Sequence, residues 1–230
     1  MNSKLVLDPL SSRFVHRAVR SIMIRLMIVG VVLLASIHNV DISQAAVANN
    51  WAITGGGTWN SSADWSLQHI PTTAEAAVIG SIAVTNTSPA SVTLDANQSA
   101  YALRLSSPIQ KAVTIDSGAG STHTLTLLST DTTNDGQNKF ATINASGTGN
   151  AINVPVQLGN GSTGSFQAII NSTDPSFAIT GGISQSPGQI WSVQIQGNNQ
   201  SGTVHFGGQP ESYTGDTIIA TGGKLQIETN

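Results

Sequence analysis

The chain of 230 residues carries 9% charged side chains, a formal net charge of −3 and no cysteine, while Gly, Ser, Thr, Asn and Ala recur throughout. So low a charge density excludes a charge-rich disordered tail and is unlike a typical cytosolic enzyme. The lack of thiols excludes disulfide stapling, thiol catalysis and thiolate metal sites together, which leaves stability to packing and backbone hydrogen bonds.

Residues 1–46 have the order of a secretory signal. Five of the nine bases lie there, namely Lys4, Arg13, Arg17, Arg20 and Arg25, and an apolar run from Leu26 to Ile37 comes next, then the small and polar "DISQAAVA". A basic segment, a short apolar segment and small residues at a cut site are the three parts of a cleaved signal. Cleavage after Ala45 places Ser43 and Ala45 at the small positions. The run is shorter than the roughly 20 apolar residues a membrane-spanning helix needs, so no stable membrane span is expected after signal removal. The remainder of the chain is expected to be exported, at the cell surface or extracellular. Residues 47–230 keep four bases (Arg104, Lys111, Lys139, Lys224) against ten acids, net −6. Scattered bases of this kind release few counterions from a phosphate backbone, which argues against nucleic acid as a partner.

Residues 47–91 hold three of the four tryptophans, Trp51, Trp59 and Trp65. Each aromatic side chain buries about 150–250 Å², so the segment reads as an N-terminal cap with the first strands. From residue 92 to 230, short alternating runs recur: "VTL" at Val92, "ALRL" at Ala102, "VTI" at Val113, "LTL" at Leu125, "ATI" at Ala141, "INVPV" at Ile152 and "FQAII" at Phe166. "FAI" at Phe177, "IWSVQI" at Ile190, "VHF" at Val204, "TII" at Thr217 and "KLQI" at Lys224 continue the series. Period-2 alternation turns one face of each strand inward. The segments between them, such as "DSGAGST", "ASGTGN", "GNGSTG" and "QGNNQSG", are turn chemistry. Strand centres recur every 8 to 16 residues, without the regular series of two-residue "NG" or "DG" loops that would signal successive hairpins. Sandwiches and barrels also show strands at such spacing. Short strands with Gly-rich corners instead predict an all-β, right-handed parallel β-helix whose stacked coils share one core.

Two stretches of the chain resemble a known family. "GTWNSSADWS", with "IPTTAEAAVIG" and then "VTLDANQSAYALRL", is similar to the opening of long surface proteins of planctomycete-type bacteria, in which a W-x(5)-W element precedes the first coils. Residues 202–227 resemble one autotransporter-associated, or passenger-associated, β-strand repeat, matched at Tyr213, Thr214, Gly215, Thr217, Gly223, Leu225 and Ile227. Two departures stand out: Gln209-Pro210-Glu211 replaces the Asn common before the Tyr, and His205 takes a strand position usually filled by Leu or Thr. The middle, 107–200, is similar only in style. The resemblance implies a β-solenoid passenger displayed on or released from a Gram-negative cell, with a structural or adhesive role. Glycans, cell-surface components or further solenoid coils are its implied partners. It also raises the expectation that the chain is the front part of a longer solenoid rather than a complete short protein, since a self-exporting autotransporter carries a C-terminal translocator barrel whose alternating strands are not found in this sequence, and the last strand has nothing left to pair with.

Candidates for chemistry are sparse. Of His69, His123 and His205, the last two alternate with apolar residues and are expected in strands facing solvent. No G-x-S-x-G elbow appears. "DTTNDGQN" at 131–138 has Asp131, Asp135 and Gly136 at calcium-loop positions, but Thr133 and Thr142 stand where the loop needs a third ligand and a bidentate Glu, so a solvated turn is the expectation. Asp95, Asp116, Asp174, Glu211 and Asp216 stand singly in turns. Glycosidases need paired carboxylates, which only stacked coils would supply here. The expectation is a non-catalytic module without cofactor or metal. Its alternative is a fragment of a β-helix polysaccharide-degrading enzyme.

Overall fold

The computed structural model describes residues 47–53, 55–80, 90–106, 112–129, 140–197, 202–220 and 222–228. The expected signal segment and the "DTTNDGQN" turn lie outside these residues. The strands fall into three sheets. The first runs β1 (Val47–Asn50), β3 (Glu75–Ile79), β6 (Ala102–Ser106), β9 (Phe140–Ser146), β12 (Gly164–Ser172), β15 (Gln189–Gln196) and β17 (Thr217–Ile219). The second runs β2 (Gly57–Thr58), β4 (Ala90–Leu94), β7 (Val113–Ser117), β10 (Ala151–Ile152), β13 (Phe177–Ile179), β16 (Val204–Phe206) and β18 (Leu225–Ile227). The third holds β5 (Gln98–Ala100), β8 (Leu125–Ser129), β11 (Val156–Asn160) and β14 (Ile183–Gln185).

Every ladder between these strands is parallel, and among β3 to β16 each pair joins strands three apart in chain order. That is a parallel β-helix with three strands per turn. A 3-10 turn, Ser62–Asp64, lies in the Trp-rich region.

The register explains the fold. In the second sheet one inward column stacks Val92, Ile115, Ile152, Ile179, Phe206 and Ile227. In the first, Ala77, Leu103, Ile143, Ile170, Ile195 and Ile219 stack in the same way. The third contributes Leu125, Val156 and Ile183. Side chains from three sheets thereby meet in one continuous core with the N-terminal tryptophans at one end. Each fully buried Val, Leu or Ile contributes about 1.5–3 kcal/mol, and in a chain without disulfides these columns are the main source of stability.

Three expectations need correction. "INVPV" is not one strand: it turns a corner at Asn153–Pro155 between β10 and β11, with Val154 fully buried at the bend. Proline lacks the N–H that a central ladder needs, so Pro155 sits at the corner. His123 precedes β8 in the loop rather than lying in a strand. The strands are also less uniformly short than expected, since β12 spans nine residues and β15 eight. His205 does lie in β16 between the inward Val204 and Phe206.

Candidate functional site

Outside the core, the rungs are joined by stacked polar side chains. In the first sheet the Gln167 amide donates to Gln194 Oε1 at 2.7 Å and Asn171 donates to Asn144 Oδ1 at 3.3 Å. On the third, Thr126 donates to Gln157 at 3.4 Å. Beside the second, Asn153 donates to Asp116 at 2.6 Å and Thr180 to Asn153 Oδ1 at 2.8 Å, a column three rungs long. Asp116, read from the sequence as isolated, is thus the acceptor of a neutral polar ladder and not half of an acid pair. Parallel in-register stacking is what brings like side chains together, at about 4.8 Å per rung.

The corners carry a second polar system, this one buried. Asp174 is fully buried and its carboxylate accepts from Asn150 N at 2.8 Å, Asn150 Nδ2 at 2.8 Å, Gly149 N at 3.1 Å, Ser176 N at 2.8 Å and Ser176 Oγ at 3.2 Å. The Asn150 side-chain oxygen in turn accepts from Val113 N at 3.0 Å, so three successive turns are tied at one corner. At another corner, buried Gln189 accepts from Trp191 Nε1 at 2.8 Å and from Asn160 N at 3.1 Å, while its amide donates to the Asn160 and Ser162 carbonyls. Buried polar groups must be satisfied in this way or they destabilise the fold.

The N-terminal end is built around the three tryptophans. Trp51, Trp59 and Trp65 are all buried, with edge-to-face contacts at 5.0 Å from Trp65 to each of the other two. Trp65 Nε1 donates to the Trp59 carbonyl at 2.9 Å. The segment after Trp65 folds back along β1: Ser66 N donates to Asn50 O at 2.8 Å, Leu67 N to Asn49 Oδ1 at 3.2 Å, and Asn49 Nδ2 to His69 O at 2.8 Å. His69 lies 3.4 Å from Glu75 across this fold. The Trp-rich segment therefore covers the N-terminal edge of the first sheet.

The residues singled out near the C-terminus are brought together by the last turns. Tyr213 is half-buried against the core, and its hydroxyl lies 2.5 Å from Thr217 Oγ1. Thr214 bonds to Gln185 through both its N–H, at 3.0 Å, and its hydroxyl. Gly215 N donates to Trp191 O at 2.9 Å, and a Cβ there would stand 2.4 Å from that same oxygen. A Cβ on Gly223 would stand 2.4 Å from the Ile195 carbonyl oxygen. Leu225 and Ile227 extend the second sheet, Ile227 in its inward column. We expect Gly215→Ala and Gly223→Ala each to loosen the last turn by about 1–3 kcal/mol through overpacking. Gly161→Ala, where a Cβ meets nothing within 4 Å, is the control. Hydrogen exchange should accelerate at β17 and β18 in the first two variants and stay unchanged in the third.

Glu211 is the titratable group that sequence reasoning undervalued. Its Oε2 accepts from Ile183 N at 2.5 Å, while Oε1 is buried without a partner. Among the described residues the third sheet has no strand beyond β14, and Glu211 with Ser212, whose N donates to Ile183 O at 2.8 Å, caps that edge instead. Burial pushes the Glu211 carboxyl up to about 7 from an ordinary 4.5, against the opposite pull of the Ile183 N–H. Burial likewise raises the Tyr213 hydroxyl, against the pull of its Thr217 bond, and the Glu211 charge adds to the rise.

The folded state holds a proton on Glu211 that the unfolded chain has lost. Stability should therefore fall as pH rises from about 4.5 to about 7, and stay lowered above that range. Denaturant midpoints across this window should drop more steeply for the wild type than for Glu211→Gln; parallel profiles would refute the assignment. Among the described residues, no three His, Asp or Glu side chains are placed to share a metal ion. Asp95 and Asp216 likewise sit in loops, and the Asp216 N–H donates to Ser192 Oγ at 3.2 Å. No family model, curated protein or solved structure matches the chain.

Proposed function

We propose that the chain is an exported, non-catalytic β-solenoid module with a structural or adhesive role at a bacterial surface, of the passenger-associated repeat type. The observation that carries this reading is the use to which the polar side chains are put. Gln, Asn, Thr and Ser on the outer faces are hydrogen-bonded from rung to rung, and the motif residues Gly215 and Gly223 serve close packing of one turn on the next. A long face of stacked amides and hydroxyls suits many weak contacts with glycans, surface components or further solenoid coils. Export rests on the order of charges and apolar residues in 1–46. No helix among the described residues is long and apolar enough to cross a membrane.

One observation favours the alternative, a polysaccharide-degrading fragment: a half-buried carboxyl with a pKa of about 7 has the protonation range of a general acid. One pair of assays separates the two. Polysaccharides and envelope fragments are incubated with the protein, then both co-sedimentation and release of reducing or unsaturated ends are measured. Co-sedimentation without product release supports the module. Release that disappears in Glu211→Gln overturns it in favour of the enzyme. The intact protein found in the cytosol of its host, with residues 1–46 attached, overturns export.

A further inference from the structure

One inward column of the core contains a polar group. In the third sheet Ala100, Leu127, Leu158 and Gln185 stand in register, the first three apolar and buried. A carboxamide at such a position must be hydrogen-bonded or it destabilises the fold, and Gln185 is held at both heteroatoms. Its Oε1 accepts from Trp191 N at 3.1 Å and from Thr214 N at 3.0 Å. Its Nε2 donates to Gln189 O at 2.6 Å and to Thr214 Oγ1 at 2.9 Å. An oxygen facing two N–H groups and a nitrogen facing a carbonyl leave the amide one orientation.

Two features of this arrangement exceed what a hydrogen-bonded clamp needs. The two backbone N–H groups converge on one carbonyl oxygen, each near the distance of about 2.7–3.1 Å at which such donors stabilise the oxygen of a tetrahedral intermediate. The Thr214 hydroxyl also reaches Oε1, at 3.3 Å, so its oxygen lies against both heteroatoms of the amide. The carbon that joins those two atoms is then about 3–3.5 Å away, a near-attack separation. Thr214 is exposed, so solvent reaches its hydroxyl proton.

We propose that Thr214 and Gln185 form an intramolecular ester that cross-links two successive turns of the solenoid. Thr214 Oγ1 attacks Gln185 Cδ, and the Trp191 and Thr214 N–H groups take up the negative charge that develops on Oε1. Collapse of the intermediate breaks the Cδ–Nε2 bond. The hydroxyl proton passes through solvent to Nε2, which leaves as ammonia. One hydroxyl and one primary amide thus become one ester and one ammonia, with no outside reactant. Release of ammonia into dilute solution draws the step forward. The joined residues are 29 apart in the chain. In a protein without cysteine the ester supplies the covalent tie that a disulfide gives elsewhere. The step rests on the geometry of these two turns and is independent of whether the outer faces bind glycans or cleave them.

Intact mass of the 230-residue chain, after incubation at neutral pH, tests it. The wild type is expected to be lighter by one ammonia than its residues sum to. A chymotryptic digest, which cuts after Trp191 and Phe206, should still hold the segments around Gln185 and Thr214 as one joined peptide. Hydroxylamine should separate them, because it cleaves esters and spares ordinary amides. Thr214→Ser should keep the link. Thr214→Val keeps the shape without the hydroxyl and should carry the full mass, with a circular dichroism spectrum matching the wild type. A wild type of full mass overturns the proposal and leaves the pair a hydrogen-bonded clamp. So does a loss of ammonia that persists in Thr214→Val, which places it elsewhere, for example in a succinimide at Asn160-Gly161.

Discussion

Trp65→Ala should lower the unfolding free energy of the N-terminal turns by about 3–5 kcal/mol, the range for a buried aromatic cut back to Ala. Three losses add up at this position. The cavity lies at the centre of the tryptophan cluster, because Trp65 touches both Trp51 and Trp59. Two edge-to-face contacts disappear, each worth about 0.5–1.5 kcal/mol beyond burial. The Trp59 carbonyl also loses the indole N–H of Trp65. Trp59→Ala removes one ring contact and an indole N–H that has no partner, so it should cost less than Trp65→Ala. The effect should be local, because in a solenoid each turn is supported only by its neighbours. Hydrogen exchange should rise sharply at β1 and β3 and little at β12 and β15. Unchanged exchange at β1 in both variants would refute a capping role for the cluster. So would a uniform rise along the whole chain, since that marks a single cooperative core with no special end.

Much of this architecture can be read from alternation alone. Val92, Val113, Leu125 and Phe177 begin runs whose odd members point inward, and each run forms a strand in the predicted place. The turn length is hidden. Ile152, Ile179 and Phe206 recur at intervals of 27 residues, but the corresponding partners Leu103 and Ile143 are 40 apart. Loops inserted between strands lengthen a turn without disturbing the register of the next, so no fixed period survives in the sequence. The strands β5 and β14 escape detection for a different reason: "QSA" and "ISQ" are too short and too polar to alternate visibly, and only parallel neighbours pull them into a ladder. β3 is harder still, since four of its five residues are buried and alternation is lost.

The candidate site shows the same division. Tyr213, Thr214, Gly215 and Gly223 are legible as a pattern, whereas the reason for each becomes visible only when the preceding turn is in place. Gly215 is required by Trp191 O and Gly223 by Ile195 O, both far away in sequence. Glu211 stands out in the sequence only as a departure from the pattern. In the fold it supplies the acceptor that a missing strand would have given to Ile183. Polar corner residues are the least legible, because "STDPS" and "SGTGN" have the composition of solvated turns while one residue of each, Asp174 and Asn150, is fully buried.

That burial makes Asp174 the other position of large effect. Asp174→Ala should cost about 3–4 kcal/mol, because it strands the two buried donors of Asn150, its N–H and its side-chain amide, and also removes the acceptor of the more exposed Gly149 and Ser176 groups. The sharper test is Asp174→Asn. An isolated buried carboxylate is costly, and replacing one with a neutral amide of the same shape is commonly harmless. Here both oxygens are committed as acceptors. One takes Gly149 N, Ser176 N and Ser176 Oγ; the other takes Asn150 N and Asn150 Nδ2. Whichever oxygen becomes an NH₂ group, it faces donors, and no rotation of the amide removes the clash. Asp174→Asn should therefore be nearly as damaging as Asp174→Ala, and Asn150→Ala should lose much of the same energy. Combining Asn150→Ala with Asp174→Ala should then cost less than the sum of the two singles, as expected for partners in one network. Urea unfolding monitored by circular dichroism, with hydrogen exchange at β7, β10 and β13, reads these differences. If Asp174→Asn is as stable as the wild type, the carboxylate is not the shared acceptor of this corner, and the tie from Val113 through Asn150 to Asp174 must be held by something else.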